Sequence, residues 1–133
     1  MPEDEGNKWP RTGIYATFRV ESVDETMEWY KRMLGWKVGK DAFDEESNCT
    51  FGSVIYRYGQ VINFIRDKNP PDSYNAELMI EVLDADALYG EILKEGSNPL
   101  NKPKNEPWGG RTFTIQDING LTLTFVQLPD EED

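Results

Sequence analysis

Tyr15-Ala16-Thr17-Phe18-Arg19-Val20-Glu21-Ser22 has a counterpart in Glu77-Leu78-Met79-Ile80-Glu81-Val82-Leu83-Asp84. Each is a run of alternating side chains that ends at a residue suited to cap a helix. The strand starts (15 and 77) and the caps (22 and 84) are both separated by 62 residues. A strand-then-helix plan used twice in one chain predicts two similar half-domains with a pseudo-symmetric cleft between them.

Outward from the first copy, Ser22-Val23-Asp24-Glu25 reads as a capping box, in which the hydroxyl and the Glu three residues on satisfy free backbone donors. The helix that follows carries Val23, Met27, Tyr30 and Leu34 on one stripe, and Gly35 supplies a left-handed stop. Strands are expected from Trp36 to about Asp41, from Asn48 to Tyr58 and from Gln60 to Arg66, with a tight turn at Gly59. Asn69-Pro70-Pro71-Asp72-Ser73 marks the boundary between halves. After the second copy, Leu88 and Ile92, flanked by Ala85 and Leu93, mark a shorter helix stopped by Gly96. Residues 97–109 read as a loop holding one poor strand. Arg111 to Gln116 and Leu121 to Gln127 form a hairpin around Asp117-Ile118-Asn119-Gly120, where Asn-Gly favours positive φ angles. The fold class is therefore α+β, with two tandem βαβββ modules. Module one covers 13–68, the linker 69–75 and module two 76–128, within one domain over 13–128. An acidic arm over 1–12, whose apolar anchor is Trp9-Pro10, and an acidic tail over 129–133 flank it.

Composition narrows the partners. At 133 residues with 38% hydrophobic and 12% aromatic content, the chain can bury a core without staples. No apolar run is long enough to span a bilayer, and Met1-Pro2-Glu3-Asp4-Glu5 is acidic where a secretion signal is basic then apolar. A cytoplasmic protein is expected. The single cysteine, Cys49, allows no internal disulfide or cysteine-rich zinc site and is read as a structural thiol. A net charge of −11 argues against nucleic acid and against anionic membranes. It would steer a cationic ligand, although part of it keeps the protein in solution and part lies in the tails. With no histidine there is no Ser-His or Cys-His nucleophile pair, and no Gly-rich phosphate loop is present.

Two passages carry a resemblance. Glu28-Trp29-Tyr30-Lys31-Arg32-Met33-Leu34-Gly35-Trp36 is similar to a helix end, and Pro107-Trp108-Gly109-Gly110-Arg111-Thr112-Phe113 running into Asp117-Ile118-Asn119-Gly120 is similar to a hairpin, of the vicinal oxygen chelate superfamily. That family includes glyoxalase I, extradiol dioxygenases, and fosfomycin- and bleomycin-resistance proteins. The resemblance runs from about Gly13 to Gln127. It implies that the modules form a cupped mixed sheet with helices on the convex side, and that two copies of the chain dimerise to complete two grooves. Metal-dependent members place one ligand on the first and one on the last strand of each half. Carried over, those positions are Tyr15, Asn63, Glu77 and Thr124. Only Glu77 is a strong ligand, so no metal and no cofactor are expected.

Alternation assigns the cleft lining on its own terms. If Ala16, Phe18 and Val20 pack under the first helix, Tyr15, Thr17 and Arg19 face the other way. Likewise Leu78, Ile80 and Val82 go under the second helix and leave Glu77, Met79 and Glu81 facing the cleft. Thr122, Thr124 and Val126 join them, as do Val61, Asn63 and Ile65. Arg19 and Glu81 stand at equivalent repeat positions and either pair with each other or face a ligand. Glu77, whose counterpart is Tyr15, is an anchor for a cation, a general base or a solvated carboxylate. Tyr30, Phe18, Phe64, Phe113 and Phe125 are expected in the core. Trp36, Phe43, Phe51, Tyr56, Tyr58 and Trp108 are expected to border the cleft, with Trp36, Tyr56 and Trp108 counted among its ligand-binding residues.

Three functions stay open. The first is a metal-free protein that sequesters a bulky planar or cationic compound, as bleomycin-resistance proteins do. The second is a metal-independent isomerase or lyase using Glu77 as base, with Tyr15 or Arg19 polarising the substrate. The third is an assembly or regulatory domain that has lost its site.

Overall fold

The computed structural model describes residues 15–55 and 61–130. The Gly59 turn, Tyr56, Tyr58 and the arm over 1–12 lie outside them. In chain order the elements are β1 (Ala16–Val20), α1 (Val23–Leu34), β2 (Lys37–Phe43), β3 (Cys49–Ile55) and β4 (Val61–Arg66), then β5 (Glu77–Glu81), α2 (Ala85–Lys94), β6 (Lys104–Asn105), β7 (Arg111–Gln116) and β8 (Thr122–Gln127). This is βαβββ twice. Each half makes one four-stranded mixed sheet, ordered β1-β4-β3-β2 and β5-β8-β7-β6. In each, the first strand runs parallel to the last and the remaining pairs are antiparallel.

Both helices begin as the sequence predicts. Ser22 accepts the Glu25 N–H at 3.1 Å, and Asp84 accepts the Ala87 N–H at 3.0 Å. The capping box is only half formed, because among the described residues no bond returns from Ser22 N–H to Glu25. Asp24 is committed elsewhere: its carboxylate accepts the Cys49 N–H at 2.8 Å and the Lys40 ammonium at 3.0 Å. Gly35 ends α1 at φ +70°, the left-handed conformation open to a residue without Cβ.

The helices cover one face of each sheet, and the two covered faces share one core. Val23, Met27, Tyr30 and Phe64 of module one join Ile80, Ile92, Phe113, Leu123 and Phe125 of module two in it. Packing between α1 and its sheet is close at Gly52, where a Cβ would lie 3.0 Å from both Met27 Sδ and Val23 Cγ1. Cys49 is buried, its Sγ 3.3 Å from the Phe51 carbonyl, and burial pushes its thiol up. Among the described residues no helix is long and apolar enough to cross a membrane.

Polar contacts join the modules. Tyr30 donates to Asp117, Asn119 Nδ2 donates to Thr26 Oγ1 at 3.0 Å, and Arg32 Nη1 donates to the Glu95 carbonyl at 3.2 Å. From the linker, Tyr74 donates to the Arg19 carbonyl and stands edge-on to Phe18, ring centroids 5.8 Å apart. The β7–β8 turn departs from expectation. Only Gly120 takes a positive φ, +86°, and Asn119 stays on the negative side. A four-residue turn closes instead, with Gly120 N–H bonded to the Asp117 carbonyl at 3.0 Å and Asp117 N–H to the Leu121 carbonyl at 2.8 Å.

Candidate functional site

The face of each sheet opposite its helix carries the side chains that strand alternation expects there, exposed along β1 and β5 but buried at Thr112, Thr124 and Val126 of β7 and β8. On β1, Thr17 and Arg19 are exposed, as is Tyr15 just before it, whereas Ala16, Phe18 and Val20 turn inward. On β5, Glu77, Met79 and Glu81 are exposed and Leu78 and Ile80 turn inward. Met79 is 61% exposed and Tyr15 46%, so each sheet shows an apolar contact beside its charges.

Register then builds one polar row across each open face. On the first sheet Thr17 pairs with Asn63, and Asn63 with Ser53. Ser53 Oγ donates to Asn63 Oδ1 at 2.8 Å, and Asn63 Nδ2 lies 3.5 Å from Thr17 Oγ1. On the second sheet Met79 pairs with Thr124, and Thr124 with Thr114. Thr124 donates its hydroxyl to Glu77 Oε2, and Thr114 Oγ1 lies 3.0 Å from Thr124 Oγ1. Thr124 is only 5% exposed, more covered than an open lining residue should be. Glu77 is thus held by a neighbouring hydroxyl, and among the described residues no basic side chain forms an ion pair with it.

Other expected residues are placed differently. Trp36 does not border the open face. It stacks on Tyr30 at 5.8 Å between centroids and packs against the shared core, because it follows Gly35 directly and returns toward α1 before β2 begins. Trp108 is 55% exposed on the turn before β7, its ring folded over Gly110. Tyr56 lies outside the described residues. Among the described residues Arg19 and Glu81 form no ion pair with one another, although both are exposed.

Glu106 is a residue that alternation does not reveal. It sits in the turn between β6 and β7, and its Oε2 accepts the Thr112 hydroxyl at 2.6 Å. Thr112 lies two residues from Thr114 on the same strand, hence on the same open face. Glu106 therefore adds a third carboxylate to the second sheet's face, with Lys104 Nζ at 4.0 Å. The available signal is the Pro107-Trp108-Gly109-Gly110 turn, which folds Glu106 back beside Thr112. A separate depression at the start of α1, lined by Glu21, Ser22, Glu25, Ile118 and Asn119, contains none of the expected site residues.

The sequence matches the family model of the Glyoxalase/Bleomycin resistance protein/Dioxygenase superfamily over residues 14–125. The chain belongs to that superfamily. Solved structures share its fold at low identity. A glyoxalase-related enzyme from Clostridium phytofermentans superposes with a TM-score of 0.78 at 21% identity, covering 92% of this chain and 99% of that one. A superfamily member from Sphaerobacter thermophilus DSM 20745 gives 0.72 at 17%, covering 89% and 98%. TioX from Micromonospora sp. ML1 gives 0.71 at 16%, covering 89% and 99%. No curated protein matches the sequence.

Some superfamily members use a metal, and the ligand positions carried over here test that chemistry. Of Tyr15, Asn63, Glu77 and Thr124, one is a carboxylate, and one of its oxygens already accepts the Thr124 hydroxyl. The Asn63 carbonyl oxygen accepts from Ser53. Among the described residues no three His, Cys, Asp or Glu gather closely enough to hold an ion. A transition metal takes about three good protein ligands, and these residues do not fit it.

Proposed function

We propose that this superfamily member is a metal-free binding protein that holds a bulky planar or cationic small molecule on its open face. The observation that carries the reading is the state of the four ligand positions. The Asn63 amide oxygen and the Thr124 hydroxyl proton are taken by neighbours, and Glu77 remains as a positioned carboxylate. A carboxylate fixed by a hydroxyl suits recognition of a cation, since its geometry is set before the ligand arrives. Exposed Tyr15, Met79 and Trp108 supply apolar and aromatic surface for a planar group. The net charge of −11 favours approach of a cation. Bleomycin resistance proteins are named in the superfamily's own description, beside glyoxalases and dioxygenases. Each groove is completed by a second copy of the chain.

The test is tryptophan fluorescence of the purified protein titrated with bleomycin and with a planar cationic dye, with and without Ni, Zn, Mn or Fe. Saturable quenching that is indifferent to metal and lost in Glu77→Gln supports the reading. Binding that appears only with metal overturns it. Conversion of the bound compound would make the protein a metal-independent enzyme with Glu77 as its base.

A further inference from the structure

The two polar rows occupy equivalent places in the duplicated fold, with Ser53 matched by Thr114 and Asn63 by Thr124, each 61 residues on. Their hydrogen bonds run in the same sense, from the third strand of each module through its last strand to its first, but the two rows end in different groups. On the second sheet the Thr124 hydroxyl has one proton, and it goes to Glu77. The contact between Thr114 and Thr124 must then be donated by Thr114. Both protons point along the row toward the carboxylate, so this row ends in an acceptor. On the first sheet Ser53 donates to Asn63 and the Asn63 amide is directed at Thr17. That row ends in a hydroxyl that keeps its own proton, beside an amide with a second N–H to give. Two residues along the same face stands Arg19, exposed and in no ion pair with any described residue.

From the unlike ends of the two rows, a carboxylate on one sheet and N–H and O–H donors beside Arg19 on the other, we infer that the ligand is amphoteric, with a cationic end held by Glu77 on the second sheet and a carboxylate end held by Arg19 and Asn63 on the first. The inference rests on the binding function proposed above and names the class of ligand. A purely cationic ligand would bring like charge against Arg19. A purely anionic one would meet Glu77. A ligand carrying both charges meets its complement on each sheet, and the two charge-assisted contacts fix its direction in the groove.

A matched pair of probes tests this. One is a planar xanthylium dye with a free carboxylate. The other is its methyl ester, which keeps the ring and the cation and loses the anion. The free acid is expected to bind about tenfold more tightly than the ester, the value of one charge-assisted contact. Arg19→Gln is expected to narrow that ratio to about twofold by weakening the free acid, whereas Glu77→Gln weakens both dyes. Arg19 is exposed, so its replacement leaves the fold intact. An ester that binds as tightly as the acid, or an Arg19→Gln variant that weakens both dyes equally, overturns the inference and leaves the binding function standing. Failure of both dyes to bind overturns the binding function, and the inference with it.

Discussion

Tyr30, in the middle of α1, donates its phenolic proton to Asp117 Oδ2 at 2.7 Å, joining residues 87 positions apart. Both are buried, and the bond fastens the helix of module one to the last hairpin of module two. Asp117 Oδ1 also accepts the N–H groups of Asn119 and Leu121 at 2.8 and 2.9 Å. Tyr30→Phe leaves this buried carboxylate one donor short. It is expected to cost about 1–3 kcal/mol in chemical denaturation, with no change in the far-ultraviolet circular dichroism of the native state.

Acid stability is expected to carry two opposing contributions. Burial holds the Asp117 carboxyl above its ordinary 3.8, despite the Tyr30 bond. The folded state therefore takes up that proton more readily than the unfolded one. Its stabilising contribution is present below pH 3.8 and is lost as pH rises through the raised value. Asp44 behaves in reverse. Its bond from Arg66 and those from the backbone of Asn48 and Glu46 hold it far below 3.8, so its contribution is present above that pH and disappears on acidification. Thermal melts across acidic pH should show Asp44→Asn flattening the loss below pH 3.8. Asp117→Asn should flatten the slope above it.

Gly52 faces α1 at a distance that would crowd an added methyl group from three sides. Besides Met27 and Val23, the Gly39 carbonyl oxygen would lie 3.1 Å from an added Cβ. Gly52→Ala is expected to destabilise by about 1–3 kcal/mol through overpacking, read as a lower denaturation midpoint with an unchanged slope.

Thr124 separates positioning from packing. Thr124→Val keeps the shape, removes the donor to Glu77 and strips Thr114 of its acceptor. It is expected to cost about 0.5–1.5 kcal/mol in stability and to weaken binding of a cationic dye severalfold. Thr124→Ser restores the hydroxyl and should recover most of the affinity. If valine and serine bind equally well, Thr124 is only a packing residue.

Local rules made most of the fold legible. The Ser22 and Asp84 caps, the Gly35 stop and the strict alternation of β1 and β5 are properties of neighbouring residues, and they recur in the structure. The site was less legible because its contacts cross strands and modules. Alternation puts Glu77 and Thr124 on one face but cannot say that a hydroxyl joins them. Trp36 misleads for a related reason: lying between a helix stop and a strand, it belongs to no periodic pattern, and its aromatic partner Tyr30 decides its side. Glu106 sits in a turn, where sequence periodicity assigns no face. Asn119 resembles a positive-φ turn residue, yet its side chain serves the bond to Thr26 while Gly120 takes the positive φ.

Tyr74 has a wider consequence. β1 lies at the border of its sheet, and the Val20 carbonyl points to the β4 side, where Asp67 N–H meets it at 2.8 Å. Alternation sends the preceding carbonyl, that of Arg19, outward, and that is the group the Tyr74 phenol occupies. An unprotected border strand is a template for another chain's backbone and a starting point for aggregation. The segment that links the halves therefore also works as an edge guard. Splitting the gene before Tyr74 would free a first half whose β1 border is ready to recruit copies of itself into fibres.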